Sequence, residues 1–319
     1  QVHCVIVGFS VAPNHKEKVL YSSDRAQIVQ NINGYLLNAD NVFIESRNKP
    51  ICDVPEIGMG NQPIDDGNYL FTDEMKKEPM SEKYFHPWYG AQEFINRSPR
   101  WCLWLGECPP NELQKMPYCM KRIKAVRDFR LSSKRTSTNK LADTPTRFQT
   151  ENMPTGTYVV IPEVSSEKRK YIPMGYMDDT VLCSNKVRIM PNATLYHFGI
   201  LESNVHMAWM RVVCGRLKSD YDYSIKIVYN NFPWPMHNEA QKEKIEQTAQ
   251  GILDARALYP DCSLAALYDE VTMPPELRKA HQANDRAVMQ AYGFWGKLNT
   301  ETACVAELMK MYQKLTERG

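Results

Sequence analysis

No stretch of this 319-residue chain is apolar for long enough to cross a bilayer: the longest such run, residues 5–11, includes two small residues and falls far short of the roughly 20 that a spanning helix needs. No basic, apolar, small-residue signal opens the chain, so the expected compartment is the cytoplasm and no membrane contact is expected. The nine cysteines (4, 52, 102, 108, 119, 183, 214, 262 and 304) include no C-x-x-C pair. Most stand in apolar or strand-like surroundings such as WCLW at 101–104, which implies buried thiols in a reducing compartment rather than a disulfide framework. None of the seven histidines stands three to five residues from a second histidine or cysteine, so no metal site is expected. Catalytic signatures are missing as well. There is no G-x-S-x-G, H-E-x-x-H or G-x-x-x-x-G-K-[ST]. Neither Pro109-Pro110 nor Pro274-Pro275 is preceded by Asp, Asn or Ser and followed by an aromatic, as a site holding a flipped base for amino-group chemistry requires. The glycine-rich stretch at 57–67 lacks the third spaced glycine, the lysine and a preceding strand, and reads as an ordinary loop. No catalytic residue is assigned, and no cofactor is expected in this chain.

With 43% hydrophobic residues the chain can bury a substantial core, and its length suggests two domains. The net charge of +2 hides a marked asymmetry. Ten carboxylates outnumber the basic residues over 40–82, whereas 115–147 holds ten Lys or Arg against Asp128 and Asp143. Within that basic run, residues 117–129 form a predicted helix with Met120, Ile123, Val126 and Phe129 on one face. Lys121, Arg122, Lys124 and Arg127 lie elsewhere on it. The segment that follows is read as a loop in which Arg130, Lys134, Arg135 and Lys140 alternate with Ser132, Ser133, Thr136 and other hydroxyl or amide side chains. Cations mixed with hydroxyls grip phosphate oxygens, so this stretch is a candidate phosphate-binding surface for double-stranded DNA; a solvated helix face is the plain alternative.

The remaining pattern predicts an α+β fold: a mixed or antiparallel sheet with flanking helices, followed by a small all-α C-terminal domain. Residues 2–9 read as a buried strand, and a chain opening on such a strand suggests a piece of a longer protein. Residues 13–26 read as a polar turn or hairpin, 72–80 as a helix start, 101–105 and 157–164 as strands, 167–173 as the far side of a hairpin, and 181–190 as two short strands around a turn. Residues 195–198 read as a further strand. Helices are predicted at 239–259, 275–292 and 300–316, where Val305, Leu308, Met309, Tyr312 and Leu315 follow helical spacing. Between these parts, 202–216 reads as a helix burying Val205, Ala208, Trp209, Val212 and Val213. A charged turn follows, then a strand over 221–229 that FPWP at 232–235 ends.

Several stretches together resemble one family: VHCVIVGF (2–9), NGYL (33–36), GNQP (60–63), RWCLWL (100–105), GRL (215–217), YS (223–224), VYNNFPWP (228–235) and MPPEL (273–277). They are similar to the C-terminal half of MmeI-like type IIL restriction-modification proteins, single chains that carry a DNA adenine methyltransferase and usually a nuclease. The resemblance implies that residues 1–40 close a truncated methyltransferase domain, 41–236 are a DNA target recognition domain, and 237–319 a helical C-terminal domain. It places S-adenosylmethionine and catalysis in an N-terminal methyltransferase/nuclease part of the same polypeptide, with this piece choosing the site at which an adenine is methylated. It also points to Lys218 and Asp220 as readers of one G·C pair, a lysine donating to guanine and an aspartate accepting from cytosine. Arg216, Asn204 and Arg211 are secondary candidates, and a surface ion pair between Lys218 and Asp220 is the plain alternative. A protein-interaction scaffold remains the competing function.

Overall fold

A computed structural model describes residue 11 and residues 17–22, 25–72 and 79–317. The predicted strand at 2–9 lies outside the described residues, as does most of the predicted helix start at 72–80; Pro79–Tyr84 is a 3-10 turn. Of the two forms open for 13–26 the structure has the hairpin, Lys18–Ser22 paired antiparallel with Arg25–Val29, which extends three residues beyond the expected end.

Two hydrophobic cores organise the rest. The smaller surrounds a four-stranded sheet in the order Leu182–Cys183, Phe85–Tyr89, Arg100–Leu103, Leu70–Phe71. Trp88, Leu103, Leu105 and Phe148 fill it, and Trp104 and Phe148 meet at 4.5 Å between ring centroids. The aromatic concentration at 84–105 is thus largely internal packing. Against this core lies the helix Pro117–Leu131, started by Pro117 in its first turn. Its buried stripe is Cys119, Ile123, Val126 and Arg130, while Met120 is exposed. The inward face is therefore turned by about one residue from the predicted one, and it includes a cation.

The larger core begins at an antiparallel sheet in the order Gly58–Met59, Val187–Pro191, Tyr158–Pro162, Gly175–Met177. Every residue of Tyr158–Pro162 is buried, so this strand lacks the alternation of a one-sided sheet. The two short strands expected within 181–190 both exist, but they join different sheets: Leu182–Cys183 pairs parallel with Trp88 and Tyr89, whereas Val187–Pro191 pairs with Tyr158–Pro162. Residues 167–173 contain no strand. Leu195–Leu201 is a helix where a strand was expected, and Gly199 explains its fit: a Cβ there would stand 2.7 Å from Ile245 Cγ2 and 3.1 Å from Ala249 Cβ. The two helices approach closely because that side chain is missing.

The C-terminal helices Glu239–Ala257, Pro275–Ala291 and Glu301–Glu317 match the helical spacing in the sequence. Asn238 and Gln241 cap the first reciprocally, and Pro275 occupies the first turn of the second. Their apolar faces share the larger core with the sheet, because Ile245, Leu277, Val288 and Leu308 belong to the same cluster as Val160 and Trp209. The fold is α+β with a C-terminal helical region. Among the described residues no helix is long and apolar enough to cross a membrane.

Candidate nucleic-acid interface

Ser203 accepts from the His206 amide and starts the helix Asn204–Val213, in which Val205, Ala208, Trp209 and Val213 are buried; Val212 is only half-buried, and His206, Met207 and Met210 are buried too, so the helix is covered nearly all round rather than on one face. The chain then turns into Gly215–Leu217, pairs it with Asp220–Asp222, and lays Asp220–Asp222 against Val164–Ser165. Leu217 opposes Asp220, so Lys218 and Ser219 form a two-residue hairpin loop. Lys218 holds φ at 59°, a left-handed conformation that lysine adopts only where a tight turn demands it. The strand predicted over 221–229 stops at Asp222. Ile225–Tyr229 is instead a π-helical turn, with the Asn230 amide donating to the Ile225 carbonyl at 2.9 Å. Its cause is distant in sequence: the Asn230 and Asn231 side-chain amides donate to the carbonyls of Arg47 and Glu45, each at 2.8 Å, which ties this segment to the strand-free stretch 45–51. The FPWP stop then joins the parts of the larger core, with Phe232 buried and the Pro233 carbonyl accepting from Tyr292 Oη.

Lys218 is exposed at the tip, Asp220 is half-buried beside it, and among the described residues neither forms an ion pair with the other or with a third residue. The surface-pair alternative is therefore absent from this geometry. Arg216 sits opposite Tyr221 with its guanidinium 4.2 Å from the ring centroid, and donates to the Ser219 carbonyl at 3.0 Å. It braces the loop while staying exposed. The other two secondary candidates are engaged elsewhere. Arg211 donates to Glu301 Oε2 at 2.8 Å and to the Lys170 carbonyl at 2.7 Å. The Asn204 amide donates to Asp285 Oδ1 at 2.8 Å, and its side chain faces Met289 Sδ.

On the smaller core, Lys121, Lys124, Arg127, Lys134, Arg135 and Lys140 are exposed, and among the described residues none has an ion-pair partner. Thr136 opens a short helix, Thr136–Lys140, and is exposed too. Ser132 and Ser133 are used locally at the helix end: Ser132 Oγ donates to the Phe129 carbonyl and Ser133 Oγ accepts from the Arg135 amide. Arg122 is half-buried, donating to Tyr118 Oη at 2.8 Å with its guanidinium 5.2 Å from the Phe71 ring centroid.

Arg130 departs from the expectation outright. It is 0% exposed, and its guanidinium donates to five backbone carbonyls: Ile64 at 3.0 Å, Leu141 at 2.8 Å, Thr144 at 3.1 Å, Pro63 at 2.8 Å and Arg147 at 2.8 Å. A planar fork of five N–H donors meets five acceptors. It fastens loops 62–65 and 141–147 to the helix and has no donor left for a phosphate. Burial pulls its pKa below the usual guanidinium range, and Tyr69 and Asp65 oppose that shift.

A group of cations that sequence reasoning passed over stands beside the hairpin. The turn after Val164–Ser165 carries Lys168, Arg169 and Lys170, and Tyr221 Oη donates to the Glu167 carbonyl at 3.3 Å. Three consecutive cations were the available signal, hidden by the expectation of a strand there.

The family model of the MmeI target recognition domain matches residues 38–236, and that of the MmeI C-terminal domain matches residues 237–318. The chain is 39% identical over 319 residues to DNA methyltransferase A of Bacillus subtilis (strain 168), covering 98% of this chain and 36% of that protein. The solved structure of the type IIL restriction-modification enzyme MmeI in complex with DNA superposes with a TM-score of 0.91 at 46% identity, covering 96% of this chain and 42% of that one. The chain thus spans well under half the length of either relative. By these matches it belongs to the MmeI family, as the part that carries the family's target recognition and C-terminal domains.

Proposed function

We propose that this chain recognises a specific sequence in double-stranded DNA and positions a target adenine for the methyltransferase part of a restriction-modification protein. The carrying observation is the match in fold and sequence to MmeI, whose structure was solved with DNA. The two surfaces divide the work. The unpaired cations Lys121, Lys124, Arg127, Lys134, Arg135 and Lys140 would neutralise phosphates and set register, giving affinity that falls steeply with salt. The Lys218 tip and Asp220 would read a base pair, because an unpaired cation and an acceptor side by side match guanine O6/N7 and cytosine N4. S-adenosylmethionine and the N-terminal methyltransferase/nuclease part belong to the same proposal, as does a cytoplasmic location.

The test replaces Lys218 and Asp220 together in the full-length protein and sequences the modified sites. A changed base at one position of the methylated site is expected, at about 1–3 kcal/mol of discrimination per contact. Because Lys218 needs a positive φ, Asn or Gly is the replacement of choice. Unchanged methylation specificity would refute the assignment of these two residues.

A further inference from the structure

The 166–171 turn, the Asn204–Val213 helix and the start of Pro275–Ala291 enclose a pocket of about 190 Å³ lined by Lys168, Arg169, Lys170, Arg211 and Arg278 against Glu167 and Glu270. Arg211 is committed to Glu301 and to the Lys170 carbonyl, so it holds the turn in place. Arg169 is half-buried; burial pulls its pKa below the usual guanidinium range, and the nearby Asp220 and Asp269 oppose that shift. Lys168, Lys170 and Arg278 have no ion-pair partner among the described residues, and Arg278 spends one donor on the Glu270 carbonyl at 3.2 Å.

The wall behind these cations is fixed by buried polar contacts. The Tyr171 ring stacks on His281 at 4.0 Å between centroids, and its hydroxyl donates to Asp285 Oδ2 at 2.6 Å. Arg256 donates to Tyr268 Oη at 2.8 Å, and that oxygen lies 2.8 Å from His281 Nε2. A cationic turn on such a support is ordered before any ligand arrives, which lowers the entropy lost on binding. The turn also begins one residue beyond Ser165, which lies opposite Tyr221. Because these strands are antiparallel, the chain beyond Ser165 runs toward the hairpin end that carries Lys218, and Tyr221 Oη donates to the Glu167 carbonyl at 3.3 Å, so turn and tip lie at the same end of this sheet.

Resting on the DNA-recognition reading, we propose that this pocket holds a backbone phosphate at the wall of the groove that the Lys218 tip enters, with Lys168, Lys170 and Arg278 as its donors. The C-terminal helical region then grips DNA directly through Arg278. These contacts carry affinity and register, not base identity.

The test titrates the intact protein with labelled mixed-sequence duplexes over about 50 to 200 mM salt. It compares wild type, Lys168→Gln/Lys170→Gln and Arg278→Gln, with a melting curve for each. Each lost contact should weaken all duplexes alike, by about three- to tenfold, and lower the slope of log affinity against log salt by about 0.9. Melting temperatures should stay at the wild-type value, and Arg278→Lys should restore most of the affinity. Salt-sensitive binding by wild type with wild-type behaviour of the variants overturns the pocket alone, whereas no duplex binding by wild type overturns the DNA-recognition reading with it. Binding of inorganic phosphate that the variants abolish without a change in duplex affinity makes this a small-anion site and also overturns the proposal.

Discussion

Replacing Arg130 by Met removes a buried cation while keeping most of the side-chain volume, and it leaves the carbonyls of Pro63, Ile64, Leu141, Thr144 and Arg147 without their donor. One unsatisfied buried acceptor costs about 1–3 kcal/mol, and such costs do not add when water can enter the vacated space. With five carbonyls orphaned and water able to reach some of them, we expect a total of about 3–5 kcal/mol. At about 2–4 °C per kcal/mol for a chain of this size, melting should fall by roughly 10 °C, provided the two cores unfold together. Arg130→Lys should recover little, because three donors on one nitrogen cannot reach carbonyls arranged around a planar fork. The control is Lys124→Gln on the same helix: this exposed cation should leave melting within about 0.5 kcal/mol of wild type and weaken duplex binding instead. The assay is thermal unfolding beside duplex titration for all three variants. Wild-type melting of Arg130→Met together with a loss of duplex affinity like that of Lys124→Gln would refute the structural role of Arg130.

Two further outcomes test the packing behind the interface. Glu202 is fully buried, bonded to Arg256 at 2.7 Å, and burial raises its pKa from the usual 4.5 to about 7 against the pull of Arg256. A raised folded-state pKa contributes stability below the unfolded value that is lost as pH rises through the folded one. Chemical denaturation at intervals between pH 4.5 and 7 should therefore show the stability of wild type falling relative to that of Glu202→Gln, on top of the rising slope that His197, His206 and His281, whose pKa values burial lowers, give to both proteins; parallel profiles would contradict this. Gly199→Ala should destabilise by about 1–3 kcal/mol, since its Cβ must displace Ile245 or Ala249 and open the joint between the sheet-side helices and the C-terminal ones. An unchanged denaturant midpoint would show that the joint yields easily.

Much of the fold was legible because its causes are local. The 3.6-residue spacing of Val205, Ala208 and Trp209, and that of Val305, Leu308, Met309 and Tyr312, announces two helices; the structure reproduces the buried face of the second, whereas the first is buried nearly all round. Caps and prolines at Asn238 and Pro275 mark helix starts within a residue or two. The alternation over 221–229, by contrast, misled. Tyr221 is buried in the strand that ends at Asp222, whereas Tyr223 and Tyr229 are buried at either end of a segment that forms a π-helical turn, whose hydrogen-bond partners come from 45–51.

The sequence by itself determined that this is an α+β protein of the MmeI family with a basic helix, a charged turn and a helical C-terminal part. Periodicity, caps and local charge are properties of neighbouring residues, and they survive translation into structure. Only the tertiary structure decided which cations face outward. Arg130 and Lys124 look alike along the chain. One meets five carbonyls brought from residues 63–64 and 141–147 and is spent on the fold, while the other stays exposed and, among the described residues, without an ion-pair partner. A cation's role is set by which acceptors the folded chain brings within reach, and those acceptors lie too far away in sequence for any local pattern to reveal.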